Sequence, residues 1–378
     1  MPTDAADTAA APANPLLEVS DLRVHFRLPR AARRRARRAP DLPEEAAGIP
    51  RGDTVKAVDG VDLRIAHGET LGLVGESGCG KTTLGSAVMG VRPEARGHVR
   101  YRTAQGRVID AAAPAPEDVA VYRREVRMVF QDPYASLNPR MTLLQIVGEP
   151  LRVLLGVTGS ELEDRVAAIL ARVGLRPDHL RRYPHAFSGG ERQRVGIARA
   201  LVPGPRLVVA DEAVSALDVS VRSQILNLLQ DLQAEMGLTY LFVSHDLSVV
   251  EHVCDRVAVM YLGRVVELSP TAALFARPLH PYTEALISAV PVPDPRLRRR
   301  RPVGPPEAAG ARRDRRERIR LRGDLPDPSA PPPGCPFHTR CRHATDRCAA
   351  EVPPLREIAP GRLAACHYAE ELSLAGAP

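Results

Sequence analysis

The chain predicts an α/β fold built around a parallel sheet, on three observations. A glycine-rich stretch, Gly75-Glu76-Ser77-Gly78-Cys79-Gly80-Lys81-Thr82-Thr83, lies between a strand-like and a helix-like segment. A short apolar run, Arg206 to Ala210, ends in two adjacent acids, Asp211-Glu212. An amphipathic helix pattern from Val219 to Met236 separates that run from another, Thr239 to Val243, so strand and helix alternate as a parallel sheet requires.

The glycine-rich stretch fits G-x-x-x-x-G-K-[ST], the pattern of phosphate-cradling loops. Three glycines let the backbone curl around an anion, so that successive N–H groups converge on its oxygens. Lys81 would reach the β- and γ-phosphates of a nucleotide, and the Thr82 hydroxyl would ligate Mg²⁺. Glu69 to Val74 reads as a buried strand before the loop. Thr82 to Met89 reads as a helix after it, whose N-terminal dipole adds to the anion site.

At 378 residues and 44% hydrophobic, the chain is long enough for two or three domains and a sizeable core. No apolar run approaches the roughly 18 residues of a membrane span, and Met1 to Asn14 lacks a signal-peptide core. The expectation is a cytoplasmic protein that does not itself cross a membrane. The net charge of +7 conceals two basic stretches. Arg30 to Arg38 has six arginines and no acid, and Arg296 to Arg322 has twelve arginines against three acids, leaving the remainder acidic. Both read as solvated Pro/Ala/Arg-rich linkers. Attraction to anionic lipid headgroups suits them at least as well as a nucleic-acid face, because no aromatic stacking residues are interleaved.

Taken in order, residues 1–14 have the small, polar, Pro-containing composition of a disordered terminus. Leu16 to Phe26 alternates as a strand, an arginine-rich insertion of about residues 27–53 follows, and Thr54 to Ile65 alternates again. With a hairpin-like stretch around Gly97 to Ile109, these predict a β-rich layer against the nucleotide core. Val126 to Phe130 is a short apolar strand ending in Gln131-Asp132-Pro133. From Thr142 to about Tyr183 apolar residues recur three and four apart, predicting a helical subdomain, about residues 133–190, inserted into the core. Ser188 to Arg194 opens a helix through Ala200. Two last strands, about Asp255 to Met260 and Gly263 to Leu268, close a domain spanning residues 15–270.

In a parallel sheet the strand C-termini face the ligand. Asp211 would then hold the Mg²⁺ shell, Glu212 would polarise an attacking water, and His245, after the Thr239 strand, would contact the γ-phosphate. Gln131, ending a third strand, would complete the Mg²⁺ shell and sense the γ-phosphate. A surface acidic pair and an uninvolved histidine are the bland readings of the same residues.

The order of Gly75–Thr82, Gln131, Ser188–Glu191, Asp211–Glu212, Ser215-Ala-Leu-Asp218 and His245 resembles that of the ATP-binding-cassette (ABC) ATPases, over roughly residues 16–270. The resemblance implies a P-loop NTPase that takes ATP and Mg²⁺, with Phe187-Ser-Gly-Gly-Glu191 as the family signature. Phe187 there replaces a Leu and Glu191 the common Gln. It further implies that Ser188, Gly189, Gly190 and Glu191 meet the γ-phosphate held by an opposite subunit in a head-to-tail dimer, and that Asp218 communicates between the two sites. Ala213-Val214 departs from the usual Pro-Thr after the catalytic Glu. The aromatic on which the family stacks adenine would fall within Arg51 to Lys56, where there is none, and Phe26 could serve only if residues 27–53 loop out.

Leu279-His-Pro-Tyr-Thr283, together with Gln131 to Pro139 and Asp211 to Ser220, further resembles the ATPase subunits of oligopeptide, dipeptide and nickel importers. This implies a peripheral subunit on the cytoplasmic face of the membrane that powers import of peptides. Its implied partners are a second, different cassette ATPase forming a heterodimer, two membrane permeases and an extracytoplasmic binding protein. Nickel or another small solute is the alternative cargo. A soluble cassette ATPase acting on nucleic acid is a rival, opposed by the single cassette and the lack of a coiled-coil insertion, so no nucleic-acid partner is expected. A non-hydrolysing regulatory subunit is a second rival, opposed by the full set of catalytic groups.

Of six cysteines, Cys79 lies in the loop and Cys254 in an expected core helix. Cys335, Cys341, Cys348 and Cys366 cluster in an extension, residues 271–378, whose Pro-rich tail is too poor in apolar residues to fold alone. Disulfides are disfavoured in the cytoplasm, so four clustered thiols suggest a metal. A [4Fe-4S] cluster fits the ligand count. Zinc, with His338, His343 or His367 replacing a cysteine, is the second reading, and four reduced thiols the third.

Overall fold

Alternation of apolar and polar residues makes two strands of the first described segments, Leu17–Arg27 (β1) and Thr54–Ile65 (β2), which pair antiparallel. The computed structural model describes residues 14–28, 53–132, 134–290, 319–321 and 323–377. Residues 1–13 of the expected disordered terminus, almost all of the arginine-rich insertion, Pro133 and most of the second basic stretch lie outside the described residues. Thr70–Val74 (β3) is buried at every position and runs into the glycine loop, from which Lys81–Val88 (α1) departs. Ala95–Arg102 (β4) and Val108–Asp110 (β5) complete a four-stranded sheet in the order β2-β1-β4-β5.

The second sheet has eight strands. Pro116–Glu125 (α2) leads into Val126–Val129 (β6), one residue shorter than the sequence suggests, with Phe130 half exposed. Leu143–Leu155 (α3), Gly159–Arg172 (α4) and Gly189–Leu201 (α5) follow, packed on one another through Ile146, Val147, Leu151, Val166, Leu170 and Val195. α3 starts at a reciprocal cap between Thr142 and Gln145 and stops at Gly156 in the left-handed region, so both ends have a local cause. Leu207–Asp211 (β7), Val219–Met236 (α6), Thr239–Val243 (β8) and Leu247–Val253 (α7) come next. Cys254 ends α7 as its cap residue and is not inside the helix.

Arg256–Tyr261 (β9) and Arg264–Pro270 (β10) form an antiparallel pair, and Thr271–Ala276 (α8) and Pro281–Ser288 (α9) lie beyond them. The C-terminal segment contributes a short helix, Asp346–Ala350 (α10), and two strands, Arg356–Ala359 (β11) and Arg362–Ala364 (β12). Strand order is β11-β12-β10-β9-β3-β8-β7-β6, parallel from β9 to β6 and antiparallel at the end the tail supplies.

The period of two in the central strands feeds two cores. Leu207, Val209, Leu241, Val243, Ala258 and Met260 face the four-stranded sheet, while Val208, Ala210, Tyr240, Phe242, Val257 and Val259 face the helices. Burying each Val, Leu, Phe or Met side chain among them contributes roughly 1.5–3 kcal/mol before the entropy of ordering is subtracted. No helix among the described residues is long and apolar enough to cross a membrane.

Candidate active site

The glycine loop joins β3 to α1, and its shape depends on the absence of side chains. A Cβ on Gly75 would stand 2.2 Å from the Met260 carbonyl oxygen, and one on Gly80, whose φ is +105°, 2.0 Å from that of Ala57. Lys81 is buried, and its ammonium donates to the carbonyls of Gly75 (2.8 Å) and Glu76 (2.9 Å). Ser77, Gly78, Cys79, Thr82 and Thr83 complete the turn into α1, with burial pushing the Cys79 thiol up from its ordinary value.

The C-terminal ends of neighbouring strands converge on this loop. Thr82 Oγ1 donates to Asp211 Oδ1 at 3.2 Å. Burial raises the Asp211 carboxyl above the usual carboxylate range, with the charge of Glu212 adding to the effect and Thr82 and Lys81 opposing it. The pair supplies hard oxygen donors and a desolvated carboxylate that a divalent cation would stabilise, so these residues fit Mg²⁺. Glu212 is held in the left-handed region at φ 47° by its N–H donating to the Val243 carbonyl. A non-glycine residue there costs about 1–2 kcal/mol, a cost typical of functional turns. Its carboxylate meets Gln131 Nε2 at 2.8 Å and His245 Nδ1 at 3.1 Å, and Ser215 Oγ donates to its main-chain carbonyl. The Thr82–Asp211 pair and the Gln131–Glu212–His245 group therefore meet at two adjacent acids, with the charge of Lys81 acting on Asp211, and make one site. It can bind phosphate, hold a cation and present a carboxylate to water.

Ser188, Gly189, Gly190 and Glu191 lie elsewhere, at the start of α5. Ser188 and Glu191 cap the helix reciprocally, the N–H of Ser188 donating to Glu191 Oε2 at 2.9 Å, and these bonds hold the Glu191 carboxyl below its ordinary value. Gly190 packs so closely on α6 that a Cβ would stand 2.6 Å from Val221 Cγ1. Asp218 is the exposed N-cap residue of α6 and Val219 beside it is 78% exposed. Phe26 is in register with Val55, and Leu28 N–H donates to the Asp53 carbonyl; the Arg92 guanidinium stands 5.7 Å from the Phe26 ring centre.

Cys335, Cys341, Cys348 and Cys366 line a single cavity, together with Phe337, His338, His343, His367, Tyr368 and Leu372. The N–H of Cys335 donates to the Cys348 carbonyl, and burial pushes the Cys335 and Cys366 thiols up to about 11. Thiolates are the donors that an iron–sulfur cluster takes. Among the described residues, no three His, Cys, Asp or Glu side chains are gathered closely enough to hold a metal ion.

Sequence reasoning missed two residues of the tail half that touch the loop. Tyr282 Oη accepts the Glu76 N–H at 2.8 Å, and Arg340 pairs with the Glu76 carboxylate at 2.9 Å. They lie 206 and 264 positions from Glu76, beyond the reach of any local pattern.

Two family models match the chain: "ABC transporter" over residues 58–215, and "Oligopeptide/dipeptide transporter, C-terminal region" over residues 266–313 and 306–348. A putative oligopeptide transport ATP-binding protein of Bacillus subtilis, YkfD, is 48% identical over 93% of this chain and 95% of its own length. The oligopeptide transport ATP-binding protein AppF of the same organism is 50% identical over 83% of this chain and 89% of its own. Among solved structures, the ATP-binding cassette MJ0796, a dimer in a post-hydrolysis state bound to ADP and Pi, is similar with a TM-score of 0.55 at 25% identity, covering 68% of this chain and 98% of its own. The cbiO1 subunit of a Clostridium perfringens ABC transporter complex gives 0.54 at 26% identity, covering 69% and 91%.

Proposed function

This chain belongs to the ABC transporter family, in its oligopeptide and dipeptide branch, and on that premise we propose that it is the ATP-hydrolysing subunit that powers peptide import. The observation that carries this reading is the convergence of Lys81, Thr82, Asp211, Glu212, Gln131 and His245 at the strand ends. Gly75 to Thr83 binds the phosphates. Thr82, Asp211 and Gln131 would hold Mg²⁺, which would supply neutralisation of the phosphate charge. Glu212 orients and polarises the attacking water, while His245 and Gln131 fix that carboxylate and sense the γ-phosphate.

Ser188, Gly189, Gly190 and Glu191 serve the ATP of an opposing cassette subunit, a reading supported by their position at a helix N-terminus, with Ser188 exposed and the other three half-buried. Asp218, on the same exposed flank, links the two sites. The working assembly is then a heterodimer of two cassette subunits beneath two permeases, supplied by an extracytoplasmic binding protein, with this chain peripheral on the cytoplasmic face. The helices between β6 and β7 act as the inserted subdomain that meets the permeases.

The tail is a Cys-rich extension whose four cysteines hold a [4Fe-4S] cluster, a reading supported by all four bordering one cavity. Anaerobic purification should then yield stoichiometric iron and acid-labile sulfide that Cys348→Ser lowers; a zinc-loaded or metal-free protein would overturn it. The transport reading is tested by affinity purification from detergent-solubilised membranes, where two multi-span permeases and a second cassette subunit should co-purify. Recovery with nucleic acid from the soluble fraction would overturn it. In that complex Glu212→Gln should keep ATP binding and lower turnover at least about a hundredfold, and retained hydrolysis would remove Glu212 from its role.

A further inference from the structure

Every polar group of Glu76, the second residue of the phosphate loop, has a partner from outside its own turn or from the loop's lysine. Its N–H donates to Tyr282 Oη at 2.8 Å, and its carbonyl accepts from Lys81 Nζ at 2.9 Å. Its carboxylate takes both ends of the Arg340 guanidinium, Nη1 to Oε2 at 2.9 Å and Nη2 to Oε1 at 3.2 Å. Arg340 is only 8% exposed and its Nη1 also reaches Tyr261 Oη at 3.4 Å. Beneath it Tyr261, Tyr282 and Phe337 contact one another with ring centres 4.7–5.3 Å apart. Arg340 itself ends the short turn His338–Arg340, between Cys335 and Cys341 of the thiol-lined cavity.

We propose that Arg340 is a positioning residue for ATP binding: it sets the curl of the phosphate loop through Glu76 and ties that curl to the folded state of the cysteine-rich tail. The proposal rests on the reading of Gly75 to Thr83 as an ATP site. A phosphate loop works only when its N–H groups are aimed before the anion arrives, so a clamp at its entry lowers the ordering cost of binding. A planar guanidinium matches a carboxylate with two parallel bonds, which a lysine cannot reproduce, so the pairing fixes direction as well as distance.

The test is MgATP affinity of the full chain, read by displacement of trinitrophenyl-ATP, for the unaltered protein, Arg340→Met, Arg340→Lys, Glu76→Gln and the double variant. Each single change should weaken MgATP by about tenfold, with Lys rescuing little, and the double variant should be no weaker than either single one. A purely structural role would lower the melting temperature and leave the affinity of the folded fraction unchanged. Should Arg340→Met fail to fold, Glu76→Gln, which keeps the side-chain volume, decides alone. Affinities equal to the unaltered chain overturn the clamp and leave the ATP site standing. An unaltered chain that binds no MgATP overturns both.

Discussion

Gly80 shows how little freedom a single position of the loop has. Its backbone is left-handed and its missing Cβ leaves room for the Ala57 carbonyl of the neighbouring sheet, so a side chain there meets both strain and a main-chain clash. Gly80→Ala is expected to destabilise the fold by about 2 kcal/mol or more, read as a lower urea midpoint, and to abolish nucleotide binding in what remains folded. Glu212 makes the complementary case: a non-glycine residue kept at positive φ, with Gln131 and His245 on its carboxylate. These residues were legible in the sequence because each follows a short apolar strand, and the strand end dictates where the next side chain points. Tyr282 and Arg340 were not legible, since nothing in their local sequence distinguishes a loop clamp from an ordinary surface turn.

Elements differ in how far their own residues explain them. β3, β7 and β8 are apolar at nearly every position and bounded by polar residues, so burial on both faces is written into them. α2 is not, because it begins Pro-Glu-Asp and buries only Tyr122 and Glu125, which leaves no apolar stripe to read. β12, of three residues, is a strand because the edge of β10 is there to pair with, and the four residues of β11 pair in turn with β12. β10 also carries Glu267, fully buried, whose two oxygens accept the N–H groups of Leu279 and His280. Burial raises this carboxyl from 4.5 to about 7. Between those values the folded state holds a proton that the unfolded state has released, so stability falls as pH rises through that window. Denaturation midpoints should decline across the window, and Glu267→Gln should flatten the decline.

At the scale of the whole molecule the tail completes the central sheet. β12 covers the edge of β10, Arg342 pairs with the nearly buried Glu284 of α9 at 2.8 Å, and Phe337 fills the aromatic cluster under the loop. A chain shortened after residue 290 is expected to melt at least about 5 °C lower and to aggregate through its open edge, whereas the full chain should unfold in a single calorimetric transition. Two transitions would show the tail to be an independent unit. The strand order also has a consequence in time. β3, the strand that carries the phosphate loop, has β8 and β9 as its neighbours, and the nearer of these is encoded about 170 residues later. At ribosomal speeds of about 5–20 residues per second, the newborn loop strand waits roughly ten to thirty seconds for its first partner. During that interval its five apolar-rich residues are a target for chaperones, and no ATP can be gripped until most of the chain has left the ribosome.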